Sequence, residues 1–310
     1  MKISKCIVSS LSSLVFFFMC SCTEEIIMDV PQGYKQPVVE AYITNELKQH
    51  EVILSYSTEF YSNEIEMISG AEVYMVESGG YQDPGDTIYF YEQVDKPGHY
   101  LSDSVAGHKN RWYHLDVTVE ENTLYYGTLH MYADTKMPNN AQGIDSVGLV
   151  PLRNEQGLPF VDENAAVCVC PYFQSLSDEN IVYNVELYLN GNRFKNRPSK
   201  VFQLFQMQGY AGSYFNGPEM LEDNIPIPVG IMNKSYMHEG DVVKVKLISI
   251  SKDYLYFLAG QKLAIGVNPV MGAFPAIITN LFSDCDAVGW FAATSVIEGE
   301  GIYHESVFEE

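Results

Sequence analysis

The sequence predicts a mainly β protein: an N-terminal immunoglobulin-like β-sandwich followed by a second antiparallel β domain with one helix. Three observations carry that prediction. Tyrosine occurs 22 times and phenylalanine 16 times, and aromatic residues favour a pleated, half-buried surface. Short apolar runs are divided by Gly, Pro, Asn and Asp, the pattern of many short strands joined by turns. Helical spacing of apolar residues is rare, and no repeat of fixed period is visible, which argues against solenoids and propellers.

In order, strands are expected over 38–44, 51–57, 71–77, 87–93, 98–102, 112–120 and 124–132. Seven strands at this spacing over about 100 residues fit a sandwich. The run from Trp112 to Val119 alternates cleanly. Tyr113, Leu115, Val117 and Val119 form the core face, with Trp112, His114, Asp116 and Thr118 on the other. Glu121-Asn122 is read as the turn into the last strand, closing a hairpin. The polar stretch Pro138-Asn139-Asn140-Ala141-Gln142-Gly143 marks a boundary, which separates a sandwich at 37–137 from a β-rich domain at 144–310.

In the second domain, strands are expected over 146–151, 165–172, 180–190, 200–208, 225–230 and 241–250. Asn190-Gly191-Asn192 reads as a hairpin turn. One helix is expected over 252–263, with Ser251 as N-cap and Tyr254, Leu255, Phe257 and Leu258 as its apolar stripe.

The N-terminus has the layout of a secretory signal peptide over 1–21: Lys2 and Lys5, an apolar stretch from Ile7 to Met19, then small residues. Ser9, Ser10, Ser12 and Ser13 interrupt a stretch already shorter than the roughly 20 apolar residues of a membrane helix. Met19-Cys20-Ser21-Cys22 resembles a bacterial lipobox, which implies lipidation of Cys22. Two or more acyl chains give stable anchoring where one is marginal. Residues 22–36 then form a lipidated tether. Thr23, Glu24 and Glu25 resemble the surface-export signal that follows the lipidated cysteine in Bacteroidota lipoproteins.

The chain has 40 acidic and 18 basic residues, a formal charge of −22, and it becomes more acidic once Lys2 and Lys5 leave with the signal. Nucleic acid is disfavoured as a partner, because phosphates demand a basic footprint. Three cysteines lie outside the signal and lipobox: Cys168, Cys170 and Cys285. Strand alternation points Cys168 and Cys170 to one face, poorly placed to bridge each other. Buried free thiols are the favoured reading, with a bond from either to Cys285 as the alternative. The seven histidines show no metal spacing, and no zinc ligand set, nucleophile elbow or phosphate loop stands in a suitable context. No metal, cofactor or catalytic residue is therefore assigned. Asp83-Pro84-Gly85-Asp86 and Asp284-Cys285-Asp286 read as turns, too poor in ligands for calcium.

The segment from Gln206 to Pro218 is Gly-rich and carries Tyr210, Tyr214 and Phe215. These are candidate contacts for a ligand or partner, since tyrosine joins apolar area to a hydroxyl at low entropic cost. A loop folded over its own core is the competing reading.

Asp253-Tyr254-Leu255-Tyr256-Phe257-Leu258, Asn268-Pro269 and FPAIITNLFSDCDAVGWFAATSV resemble the C-terminal signature of a Bacteroidota outer-membrane lipoprotein family, domain of unknown function 4249. Pro275, Asn280, Gly289, Trp290 and Phe291 occupy its marked places. Gly98-His99-Tyr100-Leu101 and the Trp112 strand resemble its N-terminal sandwich. Phe282-Ser283-Asp284-Cys285-Asp286-Ala287 departs from the family's shorter link. The resemblance implies an outer-membrane location and frequent encoding beside TonB-dependent transporters, and it supplies no activity; the run Thr23, Glu24, Glu25 implies that the body faces the cell exterior. The expectation is a non-catalytic binding or accessory subunit of such a β-barrel transport system, its ligand unidentified. The alternative is a structural or adhesive surface protein, and a hydrolase is the reading the residues support least.

Overall fold

The computed structural model describes residues 35–58, 64–80, 85–122, 127–159, 166–178, 180–194, 204–206, 211–216, 227–228, 237–266, 279–283 and 286–309. The first seven strands are β1 (Pro37–Thr44), β2 (Glu51–Tyr56), β3 (Glu72–Ser78), β4 (Asp86–Gln93), β5 (Lys96–Ser102), β6 (Trp112–Asn122) and β7 (Gly127–Lys136). Strand β4 changes partner along its length. Asp86 to Phe90 pair with β3, whereas Phe90 to Gln93 pair with β5 across a bulge. It thus turns the corner between one layer, β1-β2-β5, and another, β3-β6-β7. Val39, Leu54, Met75, Tyr100, Leu115 and Met131, one from each of those six strands, are fully buried in a single core.

Two local devices hold this sandwich. The Tyr113 hydroxyl accepts the His108 backbone N–H at 2.6 Å and donates to the buried Glu77 carboxylate at 2.6 Å. This is the geometry of a tyrosine corner, in which a hydroxyl ties back to the chain a few residues upstream. Gly98 sits at φ +76, and a Cβ there would meet the Leu54 carbonyl oxygen at 2.7 Å. Its N–H and that of Gly70 donate to the two oxygens of Glu92. Burial pushes the Glu92 carboxyl up, but these amides outweigh it and hold it below its ordinary value. The turn expected at Glu121-Asn122 is strand instead: Asn122 pairs with Gly127 after a register shift. The ladder gains pairing there by absorbing one extra residue in a bulge.

The later strands are β8 (Ser146–Pro151), β9 (Ala166–Gln174), β10 (Val182–Leu189), β11 (Asn192–Phe194), β12 (Leu204–Gln206), β13 (Tyr214–Asn216), β14 (Ile227–Pro228), β15 (Val242–Ile250), β16 (Phe282–Ser283) and β17 (Val288–Ile302), with helix α1 (Lys252–Gly266) before β16. Strand β9 pairs with β8, β13 and β14 in a small sheet, while β10 and β15 extend the large one. Asn190 and Gly191, at φ +49 and +81, make the two-residue turn between β10 and β11, both residues left-handed as a type I′ hairpin demands. Ser251 Oγ accepts the Tyr254 N–H at 3.1 Å, capping α1 as expected. Tyr254, Phe257 and Leu258 of the helix pack on Trp290 and Ala292 of β17.

Strand β17 joins the two halves. Val288 to Thr294 pair in parallel with β1, and Ser295 to Ile302 pair antiparallel with β15. Leu281, Ala287, Phe291 and Ala293 enter the sandwich core, while Ile297 enters the core lined by β10 and β15. The 144–310 segment therefore builds both cores. Gly289 permits the crossing: it sits at φ +115, and a Cβ there would lie 2.1 Å from the Val39 carbonyl oxygen.

Side-chain amides add to the ladder at three residues of β17: Phe291, Ser295 and Val296. Asn280 Nδ2 donates to the Phe291 carbonyl at 2.8 Å, and the Phe291 N–H donates to Asn280 Oδ1 at 3.0 Å. Asn45, just past β1, makes the same double contact with Val296. Asn140 Nδ2 donates to the carbonyls of Ser295 and Leu247. An amide side chain carries a donor and an acceptor like a peptide unit, so it substitutes for a strand residue.

Candidate functional site

The core faces of β3, β6 and β7 dictate an opposite, outward face, since alternate side chains point apart. Register then aligns one residue per strand: Tyr89 faces Tyr74, Tyr74 faces Asp116, Asp116 faces Tyr132, and Tyr132 faces Phe282. Four aromatic residues and one carboxylate thus form a straight row across β4, β3, β6, β7 and β16. At about 4.8 Å per strand the row spans roughly 19 Å. Its ends are the most open, Tyr89 at 53% and Phe282 at 56% exposure.

The row is held by ring stacking and charge-assisted hydrogen bonds. Tyr132 lies between the rings of Phe282, His130 and His114, at centroid distances of 5.4, 5.6 and 5.9 Å. His130 Nε2 donates to Asp116 Oδ2 at 2.9 Å, and His114 Nδ1 donates to Asp134 Oδ1 at 2.9 Å. An ionised carboxylate only accepts, so these contacts select the protonated nitrogens. Burial, then the Asp116 carboxylate beside it, raises the Tyr74 hydroxyl above the ordinary phenol value. Trp112, 48% exposed, stands opposite Lys136 at one end of the same face. Among the described residues no group of three His, Cys, Asp or Glu side chains is placed to hold a metal ion. The face offers aromatic surface and fixed hydrogen-bonding groups for contact.

The sequence-based candidates fall elsewhere. Cys22, Thr23, Glu24, Glu25 and Tyr210 lie outside the described residues. Tyr214 is exposed on β13, its hydroxyl raised chiefly by the hydrogen bond to Asp145. Phe215 corrects the expectation: it is buried, its ring stacked on Phe173 at 5.0 Å and 7°. Alternation on β13 sends neighbouring side chains to opposite faces, so the two rings do not act together. Cys168 and Cys170 are buried free thiols, and burial pushes the Cys170 thiol up to about 12. Cys285 lies outside the described residues. The row itself was half visible in sequence, where the Trp112 strand assigns His114 and Asp116 outward. Tyr132 and Phe282 join it only through register.

The fold and this face define the class, a mainly β protein that has, among the described residues, a large mixed sheet, a small sheet and one α-helix, and whose sandwich presents an exposed aromatic and acidic surface. Within that class the chain belongs to the family described as Domain of unknown function (DUF4249), whose profile matches residues 23–298. No curated protein matches it in sequence. The signature residues acquire physical roles: Tyr254 and Phe257 stack on Trp290 at 6.0 and 4.9 Å, Asn280 clamps Phe291, and Gly289 lets β17 touch β1. Asn268, Pro269 and Pro275 lie outside the described residues.

Proposed function

We propose that the protein is a lipid-anchored outer-membrane subunit, facing the cell exterior, that binds or docks without catalysis, as an accessory of a TonB-dependent β-barrel transporter. The observation that carries the binding role is the aromatic and carboxylate row on the outer face of the sandwich. Large exposed rings in register, stiffened by stacking, provide contact area whose ordering cost is already met in the free protein. The anchor rests on the lipobox-like Cys22 and the run Thr23, Glu24, Glu25. Extended, the 22–36 tether reaches roughly 50 Å, enough to bring the sandwich against a neighbouring barrel.

Purification of the full-length protein from outer membranes in mild detergent tests this. A stoichiometric β-barrel partner is expected. Recovery without one sinks the transporter reading and favours a structural or adhesive surface module. Protease shaving of intact cells tests the orientation: the protein is digested if it faces outward, and Glu24→Ala with Glu25→Ala protects it by keeping it inside.

A further inference from the structure

We infer that the outward face of β3, β4, β6, β7 and β16 takes a cationic extended segment of a partner protein, one that alternates Arg or Lys with apolar residues. This rests on the binding role proposed above and names the chemistry of its occupant. The face is acidic as well as aromatic. Glu72, Asp116 and Asp134 lie on it, two residues or one strand away from Tyr74 and Tyr132. Lys136, at the Trp112 end, is the one Lys or Arg among the described residues of these strands whose side chain shares it.

Two features separate this from ordinary solvated charge. The first is placement: Asp134, its side chain 55% exposed, hydrogen-bonds His114, whose ring lies tilted against that of Tyr132, so a cation over those rings meets a carboxylate at the same time. Ring quadrupoles attract cations, guanidinium above all, and flat guanidinium groups also stack on rings. The second is length. A row of roughly 19 Å matches about six residues of extended chain, whose side chains fall alternately toward and away from the sheet. The net charge of −22 adds long-range attraction for a basic partner.

The test uses the full chain in detergent and three fluorescent probes: an end-capped hexapeptide alternating Arg and Tyr, its Glu counterpart, and a neutral β-linked glucose hexasaccharide. The Arg peptide is expected to bind, to weaken about tenfold between about 50 and about 300 mM salt, and to weaken about fivefold in each of Phe282→Ser and Asp134→Asn. Both positions are exposed, so circular dichroism should be unchanged and any loss of the Tyr132 stack or the His114 hydrogen bond should show only as a small drop in melting temperature. Preferred binding of the oligosaccharide or the Glu peptide overturns the inference. So does Arg-peptide binding that both variants leave intact, which would be diffuse attraction to an acidic surface. A failure here leaves barrel co-purification untouched, and loss of the barrel partner leaves this peptide measurement standing.

Discussion

In β6, the buried Tyr113, Leu115, Val117 and Val119 alternate with half-exposed His114, Asp116 and Thr118, whereas in β17 eight consecutive residues, Trp290 to Ile297, are buried. The first strand has one wet face. The second is covered by the sandwich core on one side of its first half and by α1 on the other. Alternation therefore reports a boundary between protein and water, and it vanishes where a strand has protein on both faces. What holds β6 is its ladder and inward side chains. What holds β17, besides its ladders with β1 and β15, is close backbone approach and borrowed amide side chains.

Changes aimed at β17 should therefore cost more than matched changes in the sandwich. Gly289→Ala places a methyl group against the backbone of Val39 in a left-handed conformation, and a loss of about 3 kcal/mol or more is expected, seen as a large drop in melting temperature. The matched change in the sandwich, Gly98→Ala, meets the Leu54 carbonyl at 2.7 Å and the flexible Met67 side chain, so about 2 kcal/mol is expected. An equal or reversed order would show that the β1–β17 contact is not the more constrained of the two.

Asn280→Ala removes both hydrogen bonds to Phe291 and leaves its backbone groups short of partners, a loss of about 2 to 3 kcal/mol. Asn280→Asp sharpens the comparison. It keeps the acceptor for the Phe291 N–H but sets a carboxylate against the Phe291 carbonyl, so urea denaturation should rank it with or below Asn280→Ala. Full stability in Asn280→Ala would show that the amide is not acting as a strand surrogate.

Acid should loosen the molecule in two steps. Burial lowers the His50 imidazole below 6.5, despite its bond to the Val105 carbonyl. The unfolded chain then takes up the proton first, and stability that is full above about pH 6.5 declines as pH falls below it. Burial pushes the Glu46 carboxyl up, but Lys246 and Lys48 beside it outweigh this and bring it to about 2. Its contribution is present above about pH 4.5 and is lost as pH falls toward 2. Melting followed against pH should lose its upper step in His50→Gln and its lower step in Glu46→Gln. If Glu46→Gln leaves the lower step unchanged, the link from Glu46 to Lys246 on β15 is not a stabilising contact.

The smallest effect concerns the thiols. Cys168 and Cys170 are buried and raised, so in the native state a thiol reagent should label neither at neutral pH, and both should react once the protein is unfolded.

The sandwich strands were legible because water lies on one side of them, and their expected limits shift by only a few residues. The helix was legible because Ser251 and the Tyr254, Phe257 and Leu258 spacing are local signals. Tyr214 and Phe215 show the limit of composition. A Gly-rich aromatic stretch identified rings but not their directions, and a single pairing with β9 sent Phe215 into the core.

By itself, the sequence determined the mainly β class and the sandwich strands, the helix cap, the Asn190-Gly191 turn and the outward set on β6, because each depends on residues within a few positions of one another. Tertiary structure alone decided that Phe282 stands beside Tyr132, 150 residues earlier in the chain, and that β17 closes onto β1. Those placements depend on which ladders form between distant segments, and pairing register, set jointly by both strands and the core beneath them, is not written in either strand alone.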